Sequence, residues 1–252
     1  VRRSGRLEVN TFSIVGRCRR TGELGVAVAS AVPAVGAICI HLVPGVGAAS
    51  SQSWVNPYLA IDTLDAMAGG KNAADALAAA ITADPAAELR QIGVIGTGGP
   101  GAAFTGLACT AWHGHLTGPD HAVQGNMLTG PEVTGAMAAA FAADPGLPLE
   151  ERLMRALEAG QAAGGDRRGR QSAGLAVIGA EAFRRVDLRV DDHSTPIAEL
   201  RRVLDVASAQ LAPFVAGMPR RGAPAAPAPR EVVDLLALSP PDRPGGGGSR
   251  TP

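Results

Sequence analysis

The sequence predicts an α+β layered sandwich, and three observations predict it. Short runs rich in β-branched residues come in groups, each group is followed by helical segments in pairs, and regular strand-helix-strand crossovers of a doubly wound sheet are missing.

The first group is Thr11 to Cys18, Leu24 to Val32, Val35 to Val43 and Val46 to Trp54. Each run is short and punctuated by Gly or Pro, which reads as consecutive strands. Arg20-Thr21-Gly22 and Pro44-Gly45 carry hairpin turn chemistry, so the opening is expected to be an antiparallel meander. After Asn56-Pro57 the apolar spacing becomes helical, from Tyr58 to Ala68 and from Ala73 to Thr82, with Gly69-Gly70 as a stop and Asn72 as an N-cap.

Strand patterns return at Gln91 to Ile95, Ala102 to Thr105, Cys109 to His113 and His121 to Gln124, with Gly96 to Gly101 as a hairpin loop. Helices follow at Pro131 to Ala142, with Pro at N1, and at Leu149 to Ala163, ended by Gly164-Gly165. A strand pair, Ala173 to Ile178 and Phe183 to Val190, precedes a last helix from Pro196 to Leu211. One domain is therefore expected over residues 11–218, behind an N-terminal extension or propeptide at residues 1–10. Residues 219–252 read as a Pro/Gly-rich linker or disordered tail interrupted by the apolar stretch Val232 to Leu238.

Composition narrows the function classes. The 252 residues balance 23 basic against 23 acidic side chains, and Lys71 is the single lysine, so no nucleic-acid partner is expected. Aromatic residues are only 3%, which leaves Ala, Val, Leu and Ile to fill the core. No apolar run reaches the ~20 residues of a membrane span, and VRRSGRLEVN lacks a signal-peptide core; a soluble, cytoplasmic protein without a membrane partner is expected. Cys18, Cys39 and Cys109 are odd in number and lack CxxC spacing, which signals neither a disulfide framework nor a thiolate metal site.

Four segments carry possible chemistry. His113, His115 and His121 lie close in sequence, the first two on one strand face, but only Asp120 is a nearby acid, and strand-end or loop histidines are the favoured reading over a metal. GGDRRGRQS, Gly164 to Ser172, clusters charge between a helix end and a strand; its arginine forks suit a carboxylate or phosphate, and a solvated loop is the equal alternative. QGNMLTG, Gln124 to Gly130, places amides before a helix start, where developing negative charge is stabilised or an Asn-assisted turn is made. SQSWVNP, Ser51 to Pro57, reads as a polar turn with a core Trp. GxSxG, HExxH and phosphate-loop motifs are missing.

Taken in order, TFSIV, TGELGVAVAS with PAVGA, GVGAASSQSWVNP, AAFTG, QGNMLTGPEV, GQAAGGDRRGRQSA and VDLRVDDHSTPIAELRR resemble the bacterial domain-of-unknown-function family 1028, within the N-terminal nucleophile (Ntn) hydrolase superfamily. The resemblance runs from Thr11 to about Arg202, and GGDRRGRQSA is its most specific block. It implies a four-layer αββα sandwich with two mostly antiparallel sheets. It also implies a cofactor-independent amidohydrolase whose first mature residue, here Thr11, attacks an amide carbonyl with its own α-amine as base. Asn126 and the backbone around Gly125 would then form the oxyanion hole. Ser30 and Gln52 would lie beside Thr11, and Asp166, Arg168 and Gln171 would hold the polar or anionic end of a small-molecule or peptide-like amide substrate.

Val1 to Asn10 precede Thr11, so the resemblance requires their removal, by autoproteolysis or by a later start; otherwise Thr11 lacks its base. Two other readings stand beside the amidohydrolase. One is a non-catalytic Ntn-fold protein that binds a small ligand or assembles into oligomers; the other is a metal-dependent hydrolase built on the three histidines. By analogy of fold alone, a homodimer is expected.

Overall fold

The computed structural model describes residues 11–223 and 226–251, and the extension expected at residues 1–10 lies outside them. Strand β1 (Thr11–Arg17) is buried at every position, which only the middle of a covered sheet provides. It pairs with β2 (Leu24–Ser30) on one side and with β8 (His121–Asn126) on the other. With β7 (His113–Thr117), β9 (Ser172–Ile178) and β10 (Arg184–Val190) they form a six-stranded sheet ordered β10-β9-β2-β1-β8-β7. A four-stranded sheet runs β3 (Ile40–Val43), β4 (Gly47–Ser53), β5 (Arg90–Gly96), β6 (Ala102–Thr105). Every pairing is antiparallel. This is an α+β protein with two antiparallel sheets and, among the described residues, seven α-helices.

Two helices, α2 (Pro57–Ala68) and α3 (Ala73–Ala83), pack on the four-stranded sheet, where Leu59, Leu64 and Leu77 meet Ile92 and Val94. The expected caps are present: the side chain of Asn56 accepts from Tyr58 N, that of Asn72 from Asp75 N, and Gly69-Gly70 close α2. On the six-stranded sheet lie α4 (Glu132–Ala142) and α5 (Leu149–Ala162). Glycines in the strands allow this close approach: a Cβ on Gly16 would fall 2.6 Å from the Phe141 ring, and one on Gly25 2.6 Å from Leu153. The inner faces of the sheets meet through Val15, Val26, Val28, Ile40, Ala48 and Ile95, and burial of each such side chain contributes about 1.5–3 kcal/mol.

Three expectations are corrected. Val35 to Val43 is not one strand: Val35–Cys39 form the short helix α1, and only Ile40–Val43 extend. Ala34, at φ 53, turns the chain into α1, which packs backbone to backbone on β9; a Cβ on Gly174 would stand 2.9 Å from Gly36 Cα. The opening is consequently no continuous meander, because the hairpins β1-β2 and β3-β4 belong to different sheets and α1 carries the chain between them. The strand expected at Cys109 to His113 begins only at His113; before it, Cys109 is held in a turn through Sγ donating to Arg90 O, and the Trp112 ring folds over Gly114.

Residues up to Ala198 form one compact unit, and Glu199 onward a second. Helix α6 (Pro196–Ala216) extends past the expected Leu211 end and contains Pro213. In the second unit the apolar stretch near Val232 lies on α7 (Arg230–Ala237), and Gln210 Nε2 donates to Pro244 O and Gly246 O. Among the described residues no helix is long and apolar enough to cross a membrane.

Candidate functional site

Thr11 opens the central strand, and its register partners are Ser30 on β2 and Asn126 on β8. Ser30 in turn faces Ser172 on β9, and Asn126 faces His113 on β7. Directly opposed residues share a face, so Ser172, Ser30, Thr11, Asn126 and His113 make one polar row across five strands. Thr11 Oγ1 donates to Ser30 Oγ at 3.3 Å, and both residues are buried.

Between this row and the second sheet lies a connected set of amides. Gln91 Nε2 donates to Gly125 O at 2.8 Å, Gly114 O at 3.2 Å and Thr105 Oγ1 at 2.9 Å. Two of these are carbonyl oxygens, which accept only, so the orientation of the Gln91 amide is fixed. Its Oε1 then accepts from Gln52 Nε2 at 2.7 Å and from Asn126 Nδ2 at 2.8 Å. Gln52 Nε2 also reaches Thr11 O at 3.1 Å, while Gln52 Oε1 accepts from Ser13 Oγ at 2.6 Å, and Ser13 Oγ accepts from Gln124 Nε2 at 2.5 Å. Asn126 Oδ1, Gln124 Oε1 and His113 Nδ1 are left buried without a hydrogen-bond partner among the described residues. A buried polar atom without a partner costs about 1–3 kcal/mol, and three of the five such atoms among the described residues, the others being His41 Nε2 and Ser50 Oγ, gather here.

The backbone alternation places the Thr11 nitrogen. Arg17 N donates to Asp120 O at 2.9 Å, one step beyond the last β1-β8 pair, and Cys18 N donates to Glu23 O at 2.9 Å, one step beyond the last β1-β2 pair. Odd-numbered residues of β1 therefore bond to β8 and even-numbered ones to β2, so the nitrogen of Thr11 points at Asn126. The same logic, with Gly118 N donating to His121 O at 2.8 Å, puts the Gly125 backbone in the β7 ladder.

The charged loop, Asp166 to Gln171, closes this edge. Arg167 N donates to Met127 O just past β8, and Leu128 bridges Asp166. On the other side Gln171 N donates to Ser30 O at 2.8 Å and Ala31 N to Asp166 Oδ2 at 3.2 Å. Since β1 lies between β2 and β8, a segment tied to the ends of both passes over the start of β1. The Asp166 carboxylate is buried and also takes Arg168 N at 2.9 Å and the Arg168 guanidinium at 3.0 Å.

The structure thus brings Thr11, Ser30, Gln52 and Asn126 together and sets Asp166, Arg168 and Gln171 at their edge. Asp166 braces the loop, the Gln171 side chain donates to Asp192 Oδ1 at 3.0 Å, and Asn126 Nδ2 is engaged by Gln91. Sequence reasoning does not place Ser13, Gln91 and His113 in this cluster, and Gln124 enters it only as one of the amides of QGNMLTG. The usable signal was a polar residue at inward positions of otherwise apolar strands.

Elsewhere the three histidines take separate partners. His115 Nδ1 contacts Thr105 Oγ1 at 2.9 Å, and the His121 ring lies 5.3 Å from that of Phe141. Burial lowers the pKa of both. No group of three or more His, Cys, Asp or Glu able to hold a metal occurs among the described residues. An open surface cleft of about 740 Å³ lies against Arg17, Cys18, Arg19 and Thr97, at the far end of β1. Six strand steps, roughly 20 Å, separate it from Thr11.

A sequence model of a family of unknown function, DUF1028, matches residues 11–200 of the chain. Among solved structures, the crystal structure of protein SPO2555 from Silicibacter pomeroyi, of the same family, matches with a TM-score of 0.77 at 30% identity, over 84% of this chain and 92% of that one. No curated protein matches the chain.

Proposed function

The chain belongs to the DUF1028 family, and on that premise we propose that it is an amide hydrolase of the N-terminal nucleophile kind, built on a four-layer αββα sandwich with Thr11 as nucleophile. One observation carries the reading. Thr11, where the family match begins, opens the central strand with its hydroxyl on Ser30 and its nitrogen aimed at Asn126.

Cleavage of the Asn10-Thr11 bond turns that nitrogen into an α-amine, whose ordinary pKa of about 7.7–8.0 leaves part of it neutral at pH 7. Thr11 Oγ1 adds to the substrate's amide carbonyl carbon while the amine takes the hydroxyl proton. The proton passes to the leaving nitrogen, the C–N bond breaks, and an acyl ester remains on Thr11. Water, giving a proton to the α-amine, attacks that ester; the C–O bond breaks, the proton returns to Thr11 Oγ1, and a carboxylic acid leaves with the nucleophile restored. Ser30 supplies a hydroxyl beside the reacting oxygen, and Gln52 holds Thr11 O.

In this reading Asn126 serves the amine in place of the oxyanion expected from the resemblance. The Gln91 contact turns its Nδ2 away and leaves Oδ1 as an unpaired acceptor in the row beside Thr11. Its main-chain and side-chain oxygens together hold the two protons of a neutral amine and aim its lone pair at Oγ1. The test is the intact mass and N-terminal sequence of the protein from its own host, with hydrolysis of an amide library by wild type and Thr11→Ala. A chain beginning at Thr11 and activity lost in Thr11→Ala are expected; an uncut Asn10-Thr11 bond in a protein that binds ligands without turnover sinks the proposal in favour of a binding protein.

A further inference from the structure

We infer that the site takes amides bearing a carboxylate close to the scissile bond, as N-acyl amino acids and peptide C-termini do, and that Arg167 and Arg170 read that carboxylate; the inference rests on Thr11 being the reacting residue. The loop holds three arginines within four residues, and Asp166 compensates one of them, Arg168. Arg167 and Arg170 are exposed, and no side-chain hydrogen bond or ion pair engages them among the described residues. Of the neighbouring acids, Asp191 pairs with Arg189, while Asp192 accepts from the neutral Gln171 amide. Among the described residues Arg167 and Arg170 thus outnumber the one carboxylate without an ion pair, Asp192, and a net positive charge remains at this edge.

Their placement separates them from an ordinary surface pair. Asp166, which is 1% exposed at the side chain, and the backbone of Arg167 and Gln171 pin the loop to both strands that flank β1. Gln171 N is 2.8 Å from Ser30 O, and Ser30 Oγ is 3.3 Å from Thr11 Oγ1, so the loop backbone stands on the order of 10 Å from the nucleophile. One substrate residue of about 3.8 Å and an arginine side chain span that gap together. A guanidinium fork takes a carboxylate through two parallel bonds.

The experiment needs no turnover. N-acetylalanine, its C-terminal amide and inorganic phosphate are titrated by NMR against the full chain, against Arg167→Ala/Arg170→Ala and against Thr11→Ala. Both arginines are exposed, so the double variant is expected to fold. The expected result is carboxylate binding at least tenfold tighter than that of the amide, lost in the double variant and retained in Thr11→Ala. Equal binding of acid and amide, binding indifferent to the two arginines, or preference for phosphate overturns the inference. The two readings fail separately: carboxylate binding without hydrolysis, or hydrolysis that survives Thr11→Ala, removes the nucleophile, whereas Thr11-dependent hydrolysis of neutral amides with no preference for the acid removes the carboxylate.

Discussion

Gln91 fixes the side chain of Asn126: its Oε1 accepts Asn126 Nδ2 at 2.8 Å while its own nitrogen is committed to Gly125 O and Gly114 O. An amide on one sheet thereby decides which atom of an amide on the other is presented beside Thr11.

Replacing Gln91 by Leu keeps the volume and removes the hub. Gln52 Nε2 and Asn126 Nδ2 lose their shared acceptor and two carbonyls lose a donor, so the loss should be about 3 kcal/mol or more, read from urea unfolding. Wild-type stability in this variant would show that the amides are not coupled.

Asn126→Ala should leave substrate affinity nearly unchanged and lower kcat on the order of tenfold or more, because the amine loses its side-chain acceptor while Thr11 and the loop stay in place. A pure oxyanion role predicts the same loss of kcat. The two are told apart by the acid limb of the kcat profile, which moves only if Asn126 holds the amine. Among the described residues, His113 in the next strand and Asp166, Arg167, Arg168 and Arg170 on the loop also carry ionisable groups near this edge, and the substitution leaves them in place.

Gly93 lies beneath Gln124, and a Cβ there would fall 2.0 Å from Gln124 Oε1. Gly93→Ala should cost about 2–4 kcal/mol by driving Gln124 off Ser13. Combining it with Gln124→Ala should cost less than the two changes summed, a coupling that a double-mutant cycle detects by thermal unfolding.

Asp84 supplies an acid-side prediction. The hydrogen bond from Arg90, at 2.8 Å, lowers its pKa from the ordinary 3.8 to about 2. A carboxyl whose pKa is lower in the folded state stabilises at pH above the unfolded value, and the contribution disappears as pH falls through the folded one. The difference amounts to roughly 2 kcal/mol, lost between about pH 4 and 2. Asp84→Asn should flatten the fall in stability over that interval; an unchanged slope in acid denaturation would assign it to other carboxylates.

The sequence announced the elements that local chemistry decides. Gly22 at φ 72 and Gly45 at φ 70 turn the two hairpins, and Asn72 caps α3. Helix α1 escaped because five apolar residues, Val35–Cys39, show no period that separates a helical turn from a strand. Thr11, Ser30, Gln124 and Asn126 lie within the ordered motifs, whereas Gln91 does not. A glutamine in a strand reads as a solvent-facing residue, and only the opposite sheet, distant in sequence, gives it partners.

The sheets meet over surfaces lined largely by alanine and valine, which slide past one another at little energetic penalty. The Gln124, Ser13, Gln52, Gln91 and Asn126 relay has a direction, since each group can give or take only as its neighbour requires. A slip of one residue in β1 would turn Ser13 outward and break the relay. The relay acts as the index mark that tells one sheet where to stop on the other, and it sets that mark at the edge where Thr11 begins.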